Sequence, residues 1–204
     1  MTRSITPSDL SAMDRFTRAH LVNSLSGFKS FSLIATTDAE GNHNLAAFSN
    51  IVHLGADPAL IAFINRPREA APHTLRNIEQ TKWYTVNHVQ ESFVEKAHQT
   101  SAKYPDGVNE FVACGLEMEF ADAVPVPYVK ESAVKYALEL VEVVPIRHNG
   151  TFMVIGALRH AIIPEDAVEE DGFIALDKAG SLCSLGIDGY FRTQRIVRLP
   201  YAKP

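Results

Sequence analysis

The apolar positions change period along the chain, and each change predicts an element. Over residues 8–25, Leu10, Met13, Phe16, Leu21, Val22 and Leu25 follow the start signal Thr6-Pro7-Ser8-Asp9 at helical spacing, and Gly27 closes the run, so one helix is expected. Residues 30–37 then read Ser-Phe-Ser-Leu-Ile-Ala-Thr-Thr, a β-rich strand, and Asp38-Ala-Glu-Gly41 supplies a turn in which glycine can take a positive φ. A partner strand runs from Asn44 to Ser49, and after Asp57-Pro58 the apolar segment Ala59–Ile64 predicts another, ending at Asn65-Arg66. Between Pro72 and Thr81 the spacing of Leu75 and Ile78 fits a short helix that starts at His73-Thr74. Trp83–Val86 is a further strand, residues 91–99 a second short helix, and residues 109–113 a turn or helix.

The strongest local signal of topology comes later. Apolar runs over residues 134–146 and 151–163 flank Arg147-His-Asn-Gly150, and the Asn-Gly pair predicts a long hairpin closed by a primed turn. Two long strands added to three or four earlier ones suit a closed or split antiparallel barrel, which removes exposed sheet edges. The expectation is a mainly β chain with peripheral helices, one domain over residues 1–204. Within it residues 1–28 carry the N-terminal helix, 29–163 the barrel core, and 164–204 an irregular extension punctuated by Gly172, Gly180, Gly186 and Gly189.

Composition narrows the function classes. The 204 residues are 46% hydrophobic and 21% charged, enough for a substantial core, and no apolar run is long enough for a membrane span. The start, Met1-Thr-Arg-Ser-Ile-Thr-Pro7, lacks the apolar centre of a signal peptide, so a cytoplasmic protein is expected. A net charge of −5 with scattered Lys and Arg argues against nucleic acid as a partner. Cys114 and Cys183 form no Cys-x-x-Cys pair and read as incidental thiols; the eight His residues show no metal-ligand spacing, so no metal is expected.

Two features carry chemistry. The strand Asn44-Leu-Ala-Ala-Phe-Ser-Asn50 combines small residues, which let a backbone approach a flat ring, with the short polar groups of Ser49 and Asn50. Downstream, Arg66, Arg68 and Arg76 gather around His73, a cationic cluster sized for one small anion rather than a polymer. Thr74 could add a hydroxyl there, beside the first amides of a helix. Glu110 reads as a solvated or capping carboxylate. Dinucleotide, P-loop and nucleophile-elbow fingerprints are lacking.

The order of these pieces resembles the flavin reductase-like, FMN-binding split-barrel family over roughly residues 30–163. The resemblance rests on Ala35-Thr-Thr-Asp38 with Gly41, Asn44-Leu-Ala-Ala-Phe-Ser49, Asp57-Pro58, His73-Thr-Leu-Arg-Asn77, Tyr84-Thr-Val-Asn87, Thr100-Ser101 with Tyr104-Pro105, and Asn109-Glu-Phe111 before Gly115-Leu116. It implies an antiparallel split β-barrel that binds FMN along the small-residue strand and completes its pocket across a homodimer. Carried over, it implicates Ala46, Ala47, Phe48, Ser49 and Asn50 beside the flavin, and Asn65, Arg66, His73 and Thr74 at the phosphate end, with Ser101 and Lys103 nearby. The activity it implies is hydride transfer from NADH or NADPH to flavin N5, with reduced flavin released to a partner oxygenase or electrons passed onward. Two alternatives stay open: an FMN-binding electron carrier of flavoredoxin type without NAD(P)H turnover, and a flavin-free scaffold of the same fold.

Overall fold

The computed structural model describes residues 1–203. The chain runs through α1 (Pro7–Ala12), α2 (Arg15–Leu25), β1 (Lys29–Ser30), β2 (Ser32–Thr37), β3 (His43–Phe48), β4 (Ile51–Ala56), β5 (Ala59–Asn65), α3 (Pro72–Thr81) and β6 (Trp83–His88). It continues through α4 (Val94–Gln99), α5 (Glu110–Cys114), β7 (Met118–Glu119), β8 (Tyr128–Val129), β9 (Lys135–Ile146), β10 (Thr151–Ile162), β11 (Leu182–Leu185) and β12 (Gly189–Arg192).

Seven strands form one antiparallel sheet in the order β3-β2-β6-β9-β10-β5-β4. Its two outermost strands are consecutive in the chain. Only Ser49 and Asn50 separate Phe48 from Ile51, and three Cα steps span at most about 11 Å. A sheet whose opposite edges are tied that closely has to curl, and the result is a barrel split between β3 and β4. The rings of Phe48 and Phe63 meet edge to face there, with centroids 4.9 Å apart.

Strand alternation places two cores on the two faces of this wall. Ile34 packs with Phe63, Tyr84, Val86, Leu138 and Val154 from the other strands, filling the barrel, and Leu75 and Ile78 of α3 join them. Leu33 and Ala35, on the opposite face of β2, pack with Leu45, Phe93, Phe111 and Leu116 beneath α4 and α5. All six residues of β2 are buried, as a strand covered on both faces should be.

Several sequence expectations change. The helix expected over residues 8–25 is two, because Met13 is extended (ψ 143°) and Asp14 starts α2 by accepting from Phe16 N and Thr17 N at 2.9 and 3.1 Å. Neither helix buries a residue, so their apolar positions do not face this chain's core. The long hairpin is present, with Ile146 opposite Thr151, but its closure is not a primed turn. Residues 147–150 form a four-residue loop in which only Gly150 has positive φ (71°) and its N–H donates to Ile146 O at 3.0 Å.

Strand β4, absent from the sequence reading, follows Asn50 at once. The stretch read as an irregular extension contains β11 and β12, which pair with each other and with β1 in a small second sheet. No helix among the described residues is long and apolar enough to cross a membrane.

Candidate functional site

A cleft of about 490 Å³ opens where the barrel is split, a volume within the range of small-molecule sites. One wall is edge strand β3 with its continuation: Ala46, Ala47, Phe48 and Ser49 are half-buried, and Asn50 is exposed at the rim. The other end is built from Arg66 after β5, the turn through Ala70 and Ala71, and the start of α3. The segment after α4 brings in Ser101, Lys103 and Tyr104.

The start of α3 has the chemistry of an anion site. Its cap residue is Ala71, which offers no side-chain acceptor, so the first-turn amides of His73 and Thr74 are uncapped at the positive end of a ten-residue helix. Thr74 is buried, and its Oγ1 accepts from Asn44 Nδ2 at 3.3 Å, which ties α3 to β3. Ser101 sits at the cleft with its hydroxyl donating to His98 O at 2.7 Å.

Ion pairing sorts the arginines that the sequence grouped together. Arg68 is held by Glu79 through two hydrogen bonds, 2.7 and 2.5 Å, and Arg76 by Asp106 at 3.1 and 3.4 Å. The Arg76 guanidinium in turn keeps the Asp106 carboxyl below its usual range. Arg66 and Lys103 both reach the cleft, and neither makes an ion pair among the described residues. The available positive charge is therefore Arg66 and Lys103, not the three-arginine cluster.

Two sequence-derived candidates are placed differently from the rest. Asn65 is fully buried and does not line the cleft; its Nδ2 donates to Arg66 O at 2.8 Å, so it supports the turn from beneath, while its Oδ1 has no partner. His73 lies between the cleft and a second, polar cavity of about 400 Å³ lined by Asp38, His43, Arg76 and Gln80, and its Nε2 is 3.2 Å from Asp106 Oδ1.

Other residues at the cleft were not singled out as site residues from sequence. Asn23 of α2 and Tyr104 reach it, the latter accepting from Gln99 Nε2 at 3.2 Å. Glu110 departs most from expectation. Far from being solvated, it is 5% exposed, and its Oε2 accepts from Leu45 N–H at 2.9 Å. Burial raises its carboxyl above the usual range, opposed by that hydrogen bond. Its sequence neighbour Asn109 signals a helix start, but nothing local marks Glu110 as facing inward across 65 residues of chain.

Comparison with known proteins agrees with this architecture. A split-barrel-domain protein of Shewanella frigidimarina NCIMB 400, a candidate flavin reductase, superposes with a TM-score of 0.95 at 44% identity, covering 98% of this chain and 100% of that one. Nitrilotriacetate monooxygenase component B from Bacillus cereus superposes with a TM-score of 0.84 over 98% of this chain and 99% of that one; at 20% identity the likeness is one of fold. An uncharacterized protein of Aquifex aeolicus is 33% identical over 115 residues, 55% of this chain, and the match spans 59% of that relative's length. The sequence model of the flavin reductase like domain matches residues 25–186, and the chain belongs to that family, with its split-barrel fold.

Proposed function

We propose that this protein binds FMN non-covalently in the split-barrel cleft and acts as a flavin reductase that takes hydride from NADH or NADPH. The observation that carries this reading is the unpaired Arg66 and Lys103 beside the uncapped first turn of α3, at the end of a cleft walled by small residues. That donor set fits a phosphate monoester: two cations, first-turn amides, and the Thr74 hydroxyl, whose proton is free, whereas Ser101 spends its own on His98 O and shapes the rim. Ala46 and Ala47 leave room for a flat ring against the β3 backbone, and Ser49 and Asn50 offer polar groups to a hydroxylated chain between ring and phosphate.

FMN, when bound, supplies the hydride acceptor at N5. The chain's own residues then have to place the ring, hold its charged end, and leave one face open to the nicotinamide; proximity and orientation account for the rate without an acid–base pair. Partly buried Phe48 and the buried residues behind β3 keep water from the inner wall.

The same reading includes a homodimer and a cytoplasmic location. Strand β4 is a sheet edge with Val52 and Leu54 exposed, 46% and 42%, next to the cleft's rim, a surface that a second copy would cover. Reduced flavin would pass to a separate oxygenase or electrons to a protein acceptor.

Anaerobic absorbance of the FMN-loaded protein tests this. Bleaching of the flavin band by NADH or NADPH is the expected result. Flavin that stays oxidised with both nucleotides, but is reduced by a protein donor, would establish an electron carrier instead. A colourless preparation that takes up no added FMN would contradict both.

A further inference from the structure

We propose that Glu110 is a positioning residue of the flavin cleft, fixing edge strand β3 through Leu45 while its carboxyl group lines the cavity. The proposal rests on the flavin reading above and adds a role for a buried acid on α5. Strand β3 has a single ladder neighbour, β2, so alternate residues turn their N–H groups away from the sheet with no strand to receive them. Leu45 is one of these. Its N–H donates to Glu110 Oε2 at 2.9 Å, the contact that a missing eighth strand would otherwise make.

The grip is double. Phe111, the next residue, is fully buried in the same apolar cluster as Leu45, so α5 joins β3 both through a main-chain hydrogen bond and through shared core packing. Asn109 fixes the approach of α5 by accepting from Phe111 N at 3.0 Å. A carboxyl as buried as Glu110 is costly without hydrogen bonds, which makes the Leu45 amide important to the acid as well as to the strand.

The consequence falls on the cleft. Ala46 and Ala47 immediately follow Leu45 and form its wall. By strand alternation, Ala47 turns its N–H in the same outward direction as Leu45, two residues further along, where an acceptor on a ligand can meet it. Glu110 thus satisfies the outward amide just before the wall, leaves the next to the ligand, and holds both in place relative to the α3 start.

Amide hydrogen exchange on the flavin-free full chain, together with FMN titration by fluorescence, tests this in wild type, Glu110→Ala and Glu110→Gln. In the Ala variant, Leu45 exchange is expected to accelerate at least about tenfold and FMN affinity to fall about tenfold, the loss of one buried hydrogen bond. Gln keeps an acceptor oxygen at the same reach and is expected to restore both. Should Glu110→Ala not fold, Glu110→Met, similar in length but without an acceptor, takes its place. FMN affinity within twofold of wild type in the acceptor-free variant would overturn the proposal, leaving Glu110 a purely structural staple; so would failure of Gln to restore protection at Leu45. If wild type itself takes up no FMN, the flavin reading fails with it, whereas the exchange result still reports on the strand contact alone.

Discussion

Asn44 on the edge strand donates its side-chain amide to the Thr74 hydroxyl on α3 at 3.3 Å, and both residues are buried. This bond joins the wall of the cleft to its anion-ready end. Because the Thr74 oxygen accepts from Asn44, its own proton is free to be donated to a ligand. Replacing Thr74 with Val keeps the shape but strands the Asn44 donor, so unfolding in urea should show a loss of about 1–3 kcal/mol. FMN affinity should fall in parallel, and Thr74→Ser should recover both. Unchanged stability and affinity in the Val variant would remove Thr74 from the site.

The arginines should separate cleanly in a flavin titration. Arg66→Ala is expected to weaken FMN binding about tenfold, the value of one charge-assisted contact at an exposed rim. Arg68→Ala should change it less than twofold, because Arg68 is committed to Glu79. Equal effects of the two substitutions would mean that the phosphate is held by diffuse charge rather than by Arg66.

Much of this arrangement was legible before any coordinates, and the parts that were not share a physical cause. Local patterns identified β2, β3, β5, α3, β6 and the β9–β10 hairpin, since each carries its own period and turn chemistry. Ala46 to Asn50, Arg66, His73, Thr74, Ser101 and Lys103 are implied by the family resemblance, and all of them line one cleft, whereas Asn65 from the same set lies beneath it. What local pattern could not show was pairing at a distance. Strand β4 is an edge with a register shift between His53 and Gly55 and mostly exposed side chains, so it lacks the alternation of a half-buried strand. Strands β11 and β12 are four residues each and gain a third strand only from Lys29 and Ser30, far away in sequence. Asn65 and Glu110 show the same limit for side chains: which polar residue turns inward is decided by contacts across the fold.

Tyr84 offers a stability test inside the barrel. Its side chain is fully buried, its hydroxyl has no partner among the described residues, and burial pushes its ionisation far above the ordinary tyrosine range. Tyr84→Phe should therefore leave stability unchanged or raise it by about 1 kcal/mol. By contrast, a Cβ at Gly156 would lie 2.3 Å from the Tyr84 hydroxyl and 2.9 Å from Leu138 Cβ. Gly156→Ala should cost about 1–3 kcal/mol or more from overpacking. A clear loss of stability on Tyr84→Phe would reveal a partner for the hydroxyl.

Acid sensitivity should trace in part to His88. Burial lowers its pKa from 6.5 to about 4, and its Nδ1 lies 3.1 Å from the Ser181 hydroxyl. The unfolded chain thus binds the extra proton first: the contribution of His88 is complete above pH 6.5 and is lost as pH falls toward about 4. Melting temperatures of wild type and His88→Gln should diverge across that window, with the variant losing less on acidification. Parallel curves would show that the fold does not hold His88 neutral.

The account stands or falls on what the cleft holds, and paired titrations with FMN and riboflavin test that most directly. Both carry the same ring and hydroxylated chain; only FMN carries the phosphate assigned to Arg66, Lys103 and the start of α3. Saturable binding of one FMN per chain, at least about tenfold tighter than riboflavin, is the expected result, with the difference shrinking in Arg66→Ala. Equal affinity for the two, or no saturable binding of either, would contradict it.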